Sequence, residues 1–363
     1  MKRLVAAAFA AWLAGPGGGF GPWVAGGDPG FPWTPSTPSP VGDAATARVV
    51  YGVGGARPPG IPWYEYTNRA GSGYFPNAER DVIEYPAGAL YGWVPQELFP
   101  GPRDKMTVGQ AIQQATNSLD QAIRDGAEPA AAVGLSQGNL ALDQEQARLA
   151  DDPKAPPPDR LQFTTIGDPV GTHAFGASFA SGIFKPGDRI PIVGYTMPQQ
   201  VDSQYDTNRI VAAYDGFGDF PDRPDNLLAD ANAILASTIV HTPAAFTRPD
   251  DVPPQNIRTT VNARGAKTTT YLVPVNHLPL TLPLRYLGWS DGLVSQIDAA
   301  LQPQIDAGYS RNDDVLSRPV SVDPVNGMDP VGILGPAARD SIESFAAQVR
   351  AIFPPPGLPG PPL

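Results

Sequence analysis

Short apolar runs alternate with segments of helical periodicity along most of the chain. Runs rich in β-branched residues, each closed by glycine or proline, are typical of strands. They occur at ARVVYGVGG, RDVIEYPAG, AAAVGL, LQFTTIGDP, RIVAAYDGFGDFP and TTTYLVPVNH. Because these runs are apolar through most of their length, they predict a mostly parallel sheet that is covered on both faces. The predicted fold class is therefore α/β, with a central sheet flanked by helices.

The clearest helix is predicted after Thr107, which is an expected N-cap with Gln110 three residues further on. Apolar residues then recur at helical spacing up to Ile123, and Gly126 stands where a C-cap glycine is expected. Further helices are predicted after the AAAVGL run, through Leu149, and at NLLADANAILASTIV. A final helix is expected over about residues 337–352, before FPPPGLPGPPL, which cannot continue it.

Glycine and proline are unusually frequent, at 39 and 44 of 363 residues, and they are concentrated near the two ends. The N-terminal MKRLVAAAFAAWLAGPGGG has two cations, an apolar stretch and then helix breakers, the order of a signal peptide or a short membrane anchor. We expect a signal or anchor over residues 1–20, a linker over 21–45, a catalytic domain over 46–352 and a Pro-rich tail over 353–363. The expected location is outside the cell membrane, in the periplasm or envelope, with cleavage of the segment left open.

The charge and the cysteine count narrow the function classes. The formal charge is −11 and there is no Lys/Arg-rich run. Phosphate binding relies on clustered positive charge, so nucleic acid is not an expected partner. The chain has no cysteine, so neither a disulfide nor a thiolate metal site can form.

The AAAVGL run leads into Gly-Leu-Ser-Gln-Gly, residues 134–138. This G-x-S-x-G pattern is typical of a nucleophile elbow, a sharp strand-to-helix turn that lifts a serine hydroxyl above the sheet. The pentapeptide alone is weak evidence in a chain so rich in glycine, but a predicted strand precedes it and a predicted helix follows it. We therefore predict an α/β-hydrolase fold with Ser136 as the nucleophile.

A serine nucleophile needs a histidine base, and the chain has three histidines. His277 follows the strand TTTYLVPV, where the hydrolase order of serine, acid and histidine delivers the base. It is the predicted base. His241, at the end of the helical stretch ASTIVH, is the alternate, and His173 comes too early in that order.

The carboxylate that orients the base is expected in YDGFGDFPDRP, which follows a predicted strand. Asp219 comes after a glycine turn and is the predicted acid. Asp215 is the alternate, since it could instead hold the turn by accepting backbone N–H groups. Asp168, in TIGDP, could have either role.

An oxyanion hole needs two backbone N–H groups. Gln137, the residue after the nucleophile, is predicted to supply the first. The loop YGVGGARPPG is predicted to supply the second, from Gly55 or Ala56.

Several longer motifs accompany these residues, in the order VIEYPAG, GLSQGNLAL, IGDPVG, YDGFGDFPDRPDNLLADANAIL, VH and TTTYLVPVNHLPLTLPLRYLG. On these motifs, over roughly residues 47–290, the chain resembles the PE-PPE domain family, serine α/β-hydrolases of mycolate-containing bacteria that are related in architecture to cutinases. Two segments depart from the family pattern. Asn139 stands where the family often has a small apolar residue, so the argument for close packing of the elbow helix is weaker here, and VGGARPPG replaces the usual Gly-Thr-Gly oxyanion loop, which leaves its donor open.

The resemblance implies ester hydrolysis or acyl transfer on lipids. Members that start with a signal or anchor segment in place of a PE or PPE leader, as is expected for this chain, resemble acyltransferases that finish acylated trehalose glycolipids outside the plasma membrane. The expected activity is acyl transfer to or between such glycolipids through an acyl-enzyme. It would use an acyl lipid and a polyol or water acceptor, with no metal or organic cofactor. The alternatives are a carboxylester hydrolase and a non-catalytic lipid-binding protein with a hydrolase fold.

Overall fold

A computed structural model describes residues 47–57, 62–90, 106–190, 193–199, 201–223 and 225–334. The predicted N-terminal segment, the linker over 21–45, the last predicted helix and the Pro-rich tail lie outside the described residues. Among the described helices, none is both long enough and apolar enough to cross a membrane.

A seven-stranded sheet forms the centre of the described structure. Its strand order is β10-β11-β9-β4-β3-β1-β2, and every neighbouring pair is parallel except β10 with β11. The prediction of a mostly parallel sheet is confirmed. The strands of this sheet are β1 (Val49–Val53), β2 (Glu79–Val82), β3 (Ala130–Leu135), β4 (Leu161–Ile166), β9 (Thr207–Ala212), β10 (Ile257–Val261) and β11 (Lys267–Val273).

Four two-residue strands form two small antiparallel hairpins between β4 and β9. They are β5 (Thr172–His173) with β6 (Gly176–Ala177), and β7 (Arg189–Ile190) with β8 (Tyr195–Thr196). Two residues are too few to show any periodicity, so the sequence did not predict these hairpins.

The helices of the described residues flank the sheet. They are α1 (Trp63–Arg69), α2 (Val108–Asp125), α3 (Asn139–Ala150), α4 (Phe179–Ile183), α5 (Leu227–Ile239), α6 (Leu282–Tyr286), α7 (Asp291–Asp306) and α8 (Pro330–Leu334). The helix predicted after Thr107 is α2, and its capping box is present: the Thr107 hydroxyl accepts from Gln110 N–H, and the Gln110 side chain accepts from Thr107 N–H.

Alternate residues of the central strands enter two separate cores, one on each face of the sheet. In β3, Ala131 and Val133 belong to one core and Ala130 and Ala132 to the other. Helices α2 and α3 cover the second core, while α5 and α7 cover the first. Both faces of β3 are therefore buried, and the chain leaves the sheet at the carboxyl end of this strand, directly after Leu135.

Candidate active site

Ser136 stands at the carboxyl end of β3 in a strained turn. Its φ is 52°, in the left-handed region that a residue with a side chain rarely occupies. A single turn of 3-10 helix, Ser136–Gly138, leads from the strand into α3. Strain of this kind costs about 1–3 kcal/mol and is concentrated at functional sites. The geometry is that of a nucleophile elbow.

The two glycines of the elbow are required by close contacts. A Cβ on Gly138 would lie 2.1 Å from the Val53 carbonyl oxygen, and a Cβ on Gly134 would lie 2.5 Å from Asn139 Oδ1. No side chain fits at either distance. The pentapeptide pattern therefore reflects the packing of the turn, rather than chance in a glycine-rich chain.

Gly55, in the loop after β1, packs directly against the serine. A Cβ on Gly55 would lie 3.1 Å from Ser136 Cβ and 3.7 Å from Ser136 Oγ. The indole of Trp63 donates to Gly55 O at 2.7 Å, and the hydroxyl of Tyr85 donates to Gly54 O at 2.7 Å. Because C=O and N–H point in opposite directions across a trans peptide, the Gly55 and Ala56 N–H groups face away from these two rings.

The Gln137 side chain fixes the other proposed oxyanion donor. Its amide donates to Tyr85 Oη at 3.2 Å, and the residue is buried. Its backbone N–H belongs to the first turn of a helical segment, where N–H groups have no intrahelical acceptor. Tyr85 thus connects Gln137 to the Gly54 carbonyl, and burial raises the Tyr85 pKa, which keeps the phenol protonated as a donor.

His241 and Asp215, the two alternates of the sequence analysis, form a buried pair. His241 Nδ1 and Asp215 Oδ2 are 2.7 Å apart, while Asp215 Oδ1 accepts the Phe217 N–H at 3.0 Å. A carboxylate at Nδ1 fixes that nitrogen as the proton donor and leaves Nε2 with its lone pair. In a neutral imidazole, this arrangement is the tautomer that a general base needs.

The strand register places the His241 ring next to the serine turn. Leu135 and Ile166 are register partners at the ends of the parallel strands β3 and β4, so the residues that follow them, Ser136 and Gly167, stand side by side. A Cβ on Gly167 would lie 2.6 Å from His241 Cε1 and 2.7 Å from His241 Nδ1. The imidazole thus lies over Gly167, at the end of the strand next to the one that leads into the serine turn, and neighbouring strands of a sheet are about 4.8 Å apart.

The Nε2 atom of His241 is buried and has no hydrogen-bond partner among the described residues, Ser136 Oγ included. Hydrogen bonds between a catalytic base and its nucleophile are often long in unliganded enzymes and tighten with substrate. The unpaired nitrogen is the atom that would take the serine proton.

The predicted pairing of Asp219 with His277 is not the one that the structure shows. Both Asp219 oxygens bind the Arg311 guanidinium, and Oδ2 also accepts the Tyr214 N–H at 2.7 Å. His277 Nδ1 is instead 2.6 Å from Asp298 Oδ2, on α7. The pairing is wrong because a bidentate arginine already occupies Asp219 and because α7 supplies a different carboxylate.

His277 also lies far along the sheet from the nucleophile. It follows β11, which is separated from β3 by β9 and β4, about 14 Å at ordinary strand spacing. Asp298 accepts a further bond from the Leu278 N–H and one from the Thr281 hydroxyl. These contacts tie the loop after β11 to α7.

The other sequence candidates have local roles. Asp168 Oδ1 accepts the Val170 N–H at 3.0 Å, the turn-forming arrangement expected for an aspartate before proline. His173 lies 3.8 Å from Asp219, and burial, with the nearby charges of Arg311 and Arg209, lowers the His173 pKa to about 3. In the part of the chain that the structure describes, no three potential metal-ligating acidic, histidine or cysteine side chains come together.

Asn139, which departs from the family's small apolar residue, holds the elbow helix through hydrogen bonds. Its side-chain amide donates to Ile166 O at 2.8 Å, and its Oδ1 accepts the Ile166 N–H at 3.3 Å. The start of α3 is thereby fastened to the last residue of β4, next to the glycine that lies under His241.

Comparison with known proteins gives the family. The PE-PPE domain model matches residues 76–310. This chain belongs to the PE-PPE domain family. Most of the described sheet and helices fall within the matched residues, including the serine turn and the Asp215–His241 pair.

Two PE-PPE relatives are informative about function. The chain is 69% identical to diacyltrehalose acyltransferase Chp2 of Mycobacterium tuberculosis over 338 residues, 91% of this chain and 94% of the relative. It is 44% identical to SL1278 acyltransferase Chp1 of the same organism over 65% of this chain and 55% of that protein. Among solved structures, a cutinase-like protein from Cryptococcus sp. is 16% identical, covers 49% of this chain and 81% of its own, and has a TM-score of 0.30.

Proposed function

We propose that this chain is a serine acyltransferase in which Ser136 is the nucleophile, His241 the general base and Asp215 the carboxylate that orients the imidazole. The observation that carries this proposal is the position of the His241 ring over Gly167, the neighbour of Ser136 across the β3–β4 register, with Asp215 bonded to Nδ1. The chain order of serine, aspartate and histidine is also the order of the hydrolase fold.

In the first half-reaction, Ser136 Oγ attacks the carbonyl carbon of an acyl ester while His241 Nε2 takes its proton. The oxyanion that forms accepts hydrogen bonds from the Gln137 N–H and from the Gly55 or Ala56 N–H. His241 then gives its proton to the departing alcohol, and the acyl group stays on Ser136. Asp215 stabilises the imidazolium through Nδ1 and keeps its own charge throughout.

In the second half-reaction, an acceptor hydroxyl replaces the departed alcohol. His241 Nε2 takes the acceptor proton, the acceptor oxygen attacks the acyl carbon, and the proton returns to Ser136 Oγ as the ester is released. With water as acceptor the same steps would give a free fatty acid. Transfer and hydrolysis therefore differ only in which hydroxyl reaches the acyl-enzyme.

The substrate class follows from the relatives. Identity of 69% along nearly the full length of a diacyltrehalose acyltransferase supports a fatty acyl donor and a trehalose-type glycolipid acceptor for this chain as well. The N-terminal sequence supports export, with activity at the outer face of the membrane or in the cell envelope, where such glycolipids are acylated.

The activity is tested by incubating the purified full chain with diacylated trehalose as both donor and acceptor. We expect products that carry additional acyl chains, measured by mass spectrometry, and no product with Ser136→Ala. Ser118→Ala, a change at an exposed serine of α2, is the matched control and should behave as the wild type. Release of free fatty acid alone would indicate a carboxylester hydrolase instead.

The rival of another class, a non-catalytic lipid-binding protein, is tested with a fluorophosphonate probe. The proposal predicts covalent labelling of the wild type and of Ser118→Ala, and none of Ser136→Ala. An unlabelled wild type, under conditions that label a control hydrolase, would contradict the enzymatic function. Labelling that persists in Ser136→Ala would contradict the choice of nucleophile.

A further inference from the structure

The turn that carries Asp215 has an unusual backbone. Tyr214 has a φ of 67°, in the left-handed region that aromatic residues rarely occupy. Such a conformation costs about 1–3 kcal/mol and persists only where the surrounding structure fixes it. Because Asp215 follows directly, whatever fixes Tyr214 also fixes the carboxylate that binds His241.

Asp219 closes this turn at both of its ends. Its Oδ2 accepts the Tyr214 N–H at 2.7 Å, and its own N–H donates to Asp215 O at 2.7 Å. Asp219 is fully buried, and that burial raises the pKa of its carboxyl group. An ionised carboxylate in this position therefore needs a cation beside it.

Arg311 supplies that cation. Its guanidinium binds Asp219 as a fork, with Nη2 at 2.9 Å from Oδ2 and Nη1 on Oδ1. Its side chain is 2% exposed, and the guanidinium lies 4.2 Å from the centre of the Tyr309 ring. A bidentate pair compensates the negative charge of the carboxylate and also fixes its orientation, because each oxygen accepts its own N–H.

The other basic group at this carboxylate cannot replace Arg311. His173 Nε2 lies 3.8 Å from Asp219 Oδ1. Since burial lowers its pKa to about 3, His173 is neutral near neutral pH. Among the described side chains in contact with Asp219, Arg311 is thus the one that brings a positive charge.

We propose that Arg311 is a positioning residue, which acts through Asp219 to hold residues 214–219 in the conformation that presents Asp215 to His241. The inference rests on the proposed roles of Asp215 and His241. Arg311 lies one residue beyond the 76–310 family match and was not a candidate in the sequence analysis. Neither it nor Asp219 needs to touch the substrate.

The effect of replacing Arg311 follows from the burial of Asp219. In Arg311→Met, the Asp219 carboxylate is left without a cation, so it takes up a proton or moves toward water. Either change weakens or breaks its bond from the Tyr214 N–H, because a charged acceptor is roughly twice as strong as a neutral one. The strained turn then relaxes, and Asp215 loses its alignment with Nδ1.

The test measures kcat and KM for a soluble p-nitrophenyl acyl ester, together with the rate of fluorophosphonate labelling, on folded full-length variants. We expect Arg311→Met to lower kcat and the labelling rate on the order of 10- to 100-fold, the size of loss expected from a misplaced catalytic group, with KM changed less than about twofold. Arg223→Met is the matched control, since Arg223 makes an exposed pair with Asp313, and it should match the wild type.

A second variant separates positioning from general damage. Arg311→Met combined with Asp219→Asn removes both buried charges together, and the asparagine oxygen can still accept the Tyr214 N–H. If Arg311 acts through Asp219, the effects of the two substitutions are coupled. The kcat of the double variant should then be roughly fivefold or more above that of Arg311→Met. A double variant that is as slow as the single one would overturn the proposal.

Other results would also overturn it: a folded Arg311→Met with the wild-type kcat, or one in which only KM rises. Should Arg311→Met not fold, Arg311→Lys takes its place, because lysine keeps the charge but not the fork. About a tenfold lower kcat at unchanged KM then supports positioning, and a wild-type kcat contradicts it. A His241→Gln variant with the wild-type kcat would contradict the proposed triad itself. An inactive His241→Gln beside an Arg311→Met with the wild-type kcat would contradict the positioning role alone.

Discussion

Gly167 leaves the space in which the His241 imidazole lies. Its φ is +57°, and the space above its Cα is filled by the His241 imidazole, 2.6 Å from where a Cβ would stand. In Gly167→Ala the ring has to move, so we expect kcat for a p-nitrophenyl ester to fall on the order of 10- to 100-fold. Stability should also fall by about 1 kcal/mol or more, because alanine is strained at this φ.

Gly265→Ala is the matched control for that substitution. Gly265, in the turn between β10 and β11, has a φ of +84° with nothing within 4 Å of its Cβ position. It should lose stability in chemical denaturation to a similar extent and keep the wild-type kcat. Equal kcat values for the two variants would contradict the placement of His241 over Gly167.

The candidate residues differed in how far their sequence surroundings could identify them. The turn at Ser136 was predictable because the whole elbow, with its glycines, strand and helix, is contiguous in the chain. The partners were not, since Asp215 and Asp219 both follow β9 within one short turn. Asp215 meets His241, while Asp219 binds Arg311, about 90 residues later, and nothing local to the turn indicates that arginine.

The side chain of Asn139 joins the elbow helix α3 to β4 by hydrogen bonds. Its amide satisfies both backbone groups of Ile166, and the residue is completely buried. Asn139→Ala leaves a buried N–H and C=O without these partners, so we expect a loss of about 1–3 kcal/mol in the free energy of unfolding. Chemical denaturation measures this loss.

Asn117→Ala is the control for that change, because Asn117 is an exposed residue of α2. It should alter stability by less than about 0.5 kcal/mol. If both alanine variants unfold at the same denaturant concentration as the wild type, the contact between Asn139 and Ile166 contributes nothing to the elbow.

Six of the seven strands of the central sheet and the helices α2, α3 and α5 were predicted from the sequence, whereas the helix α7, the strand β10 and the shortest elements were not. The helix from Val108 to Asp125 begins at the predicted cap, because the capping box is local and the apolar face repeats over five turns. Helix α1 spans seven residues and each strand from β5 to β8 spans two. Their existence depends on tertiary contacts, which no local pattern reports.

The order of strands in the sheet also explains why His277 is separated from the serine turn. Sequence order places His277 after a late strand, as the hydrolase pattern requires, but it does not give the position of that strand in the sheet. Because β9 and β4 lie between β11 and β3, the histidine that follows α5 is closer to the serine than the one that follows β11. Only the assembled sheet shows this.

The stability of the whole domain should depend on the ionisation of Glu145. Glu145 is on α3, and burial, with the nearby charge of Asp120, raises its pKa to about 8 from a usual 4.5. The folded state therefore holds a proton that the unfolded state releases above pH 4.5, and stability falls as pH rises from 4.5 to 8. Glu145→Gln removes this loss. At pH 7 its free energy of unfolding should therefore exceed that of the wild type by up to about 3 kcal/mol.

Denaturation of both proteins at several pH values checks this prediction. The gain from Glu145→Gln should be small near pH 4.5 and should grow toward pH 8, with kcat unchanged. Glu65→Gln, at an exposed glutamate on α1, should show little gain at any pH. A difference between Glu145→Gln and the wild type that stays constant with pH would contradict the raised pKa.

The identity of the base is the central point, and two histidine variants test it directly. Each histidine has a buried aspartate on Nδ1, so the replacement of each by glutamine is a matched pair that differs in distance from Ser136. The measurement is kcat for acyl transfer or p-nitrophenyl ester cleavage by His241→Gln and His277→Gln, with folding checked by circular dichroism. We predict that His241→Gln loses on the order of 10³-fold or more and that His277→Gln keeps a kcat close to the wild type. An inactive His277→Gln beside an active His241→Gln would contradict the proposed Ser136–His241–Asp215 site.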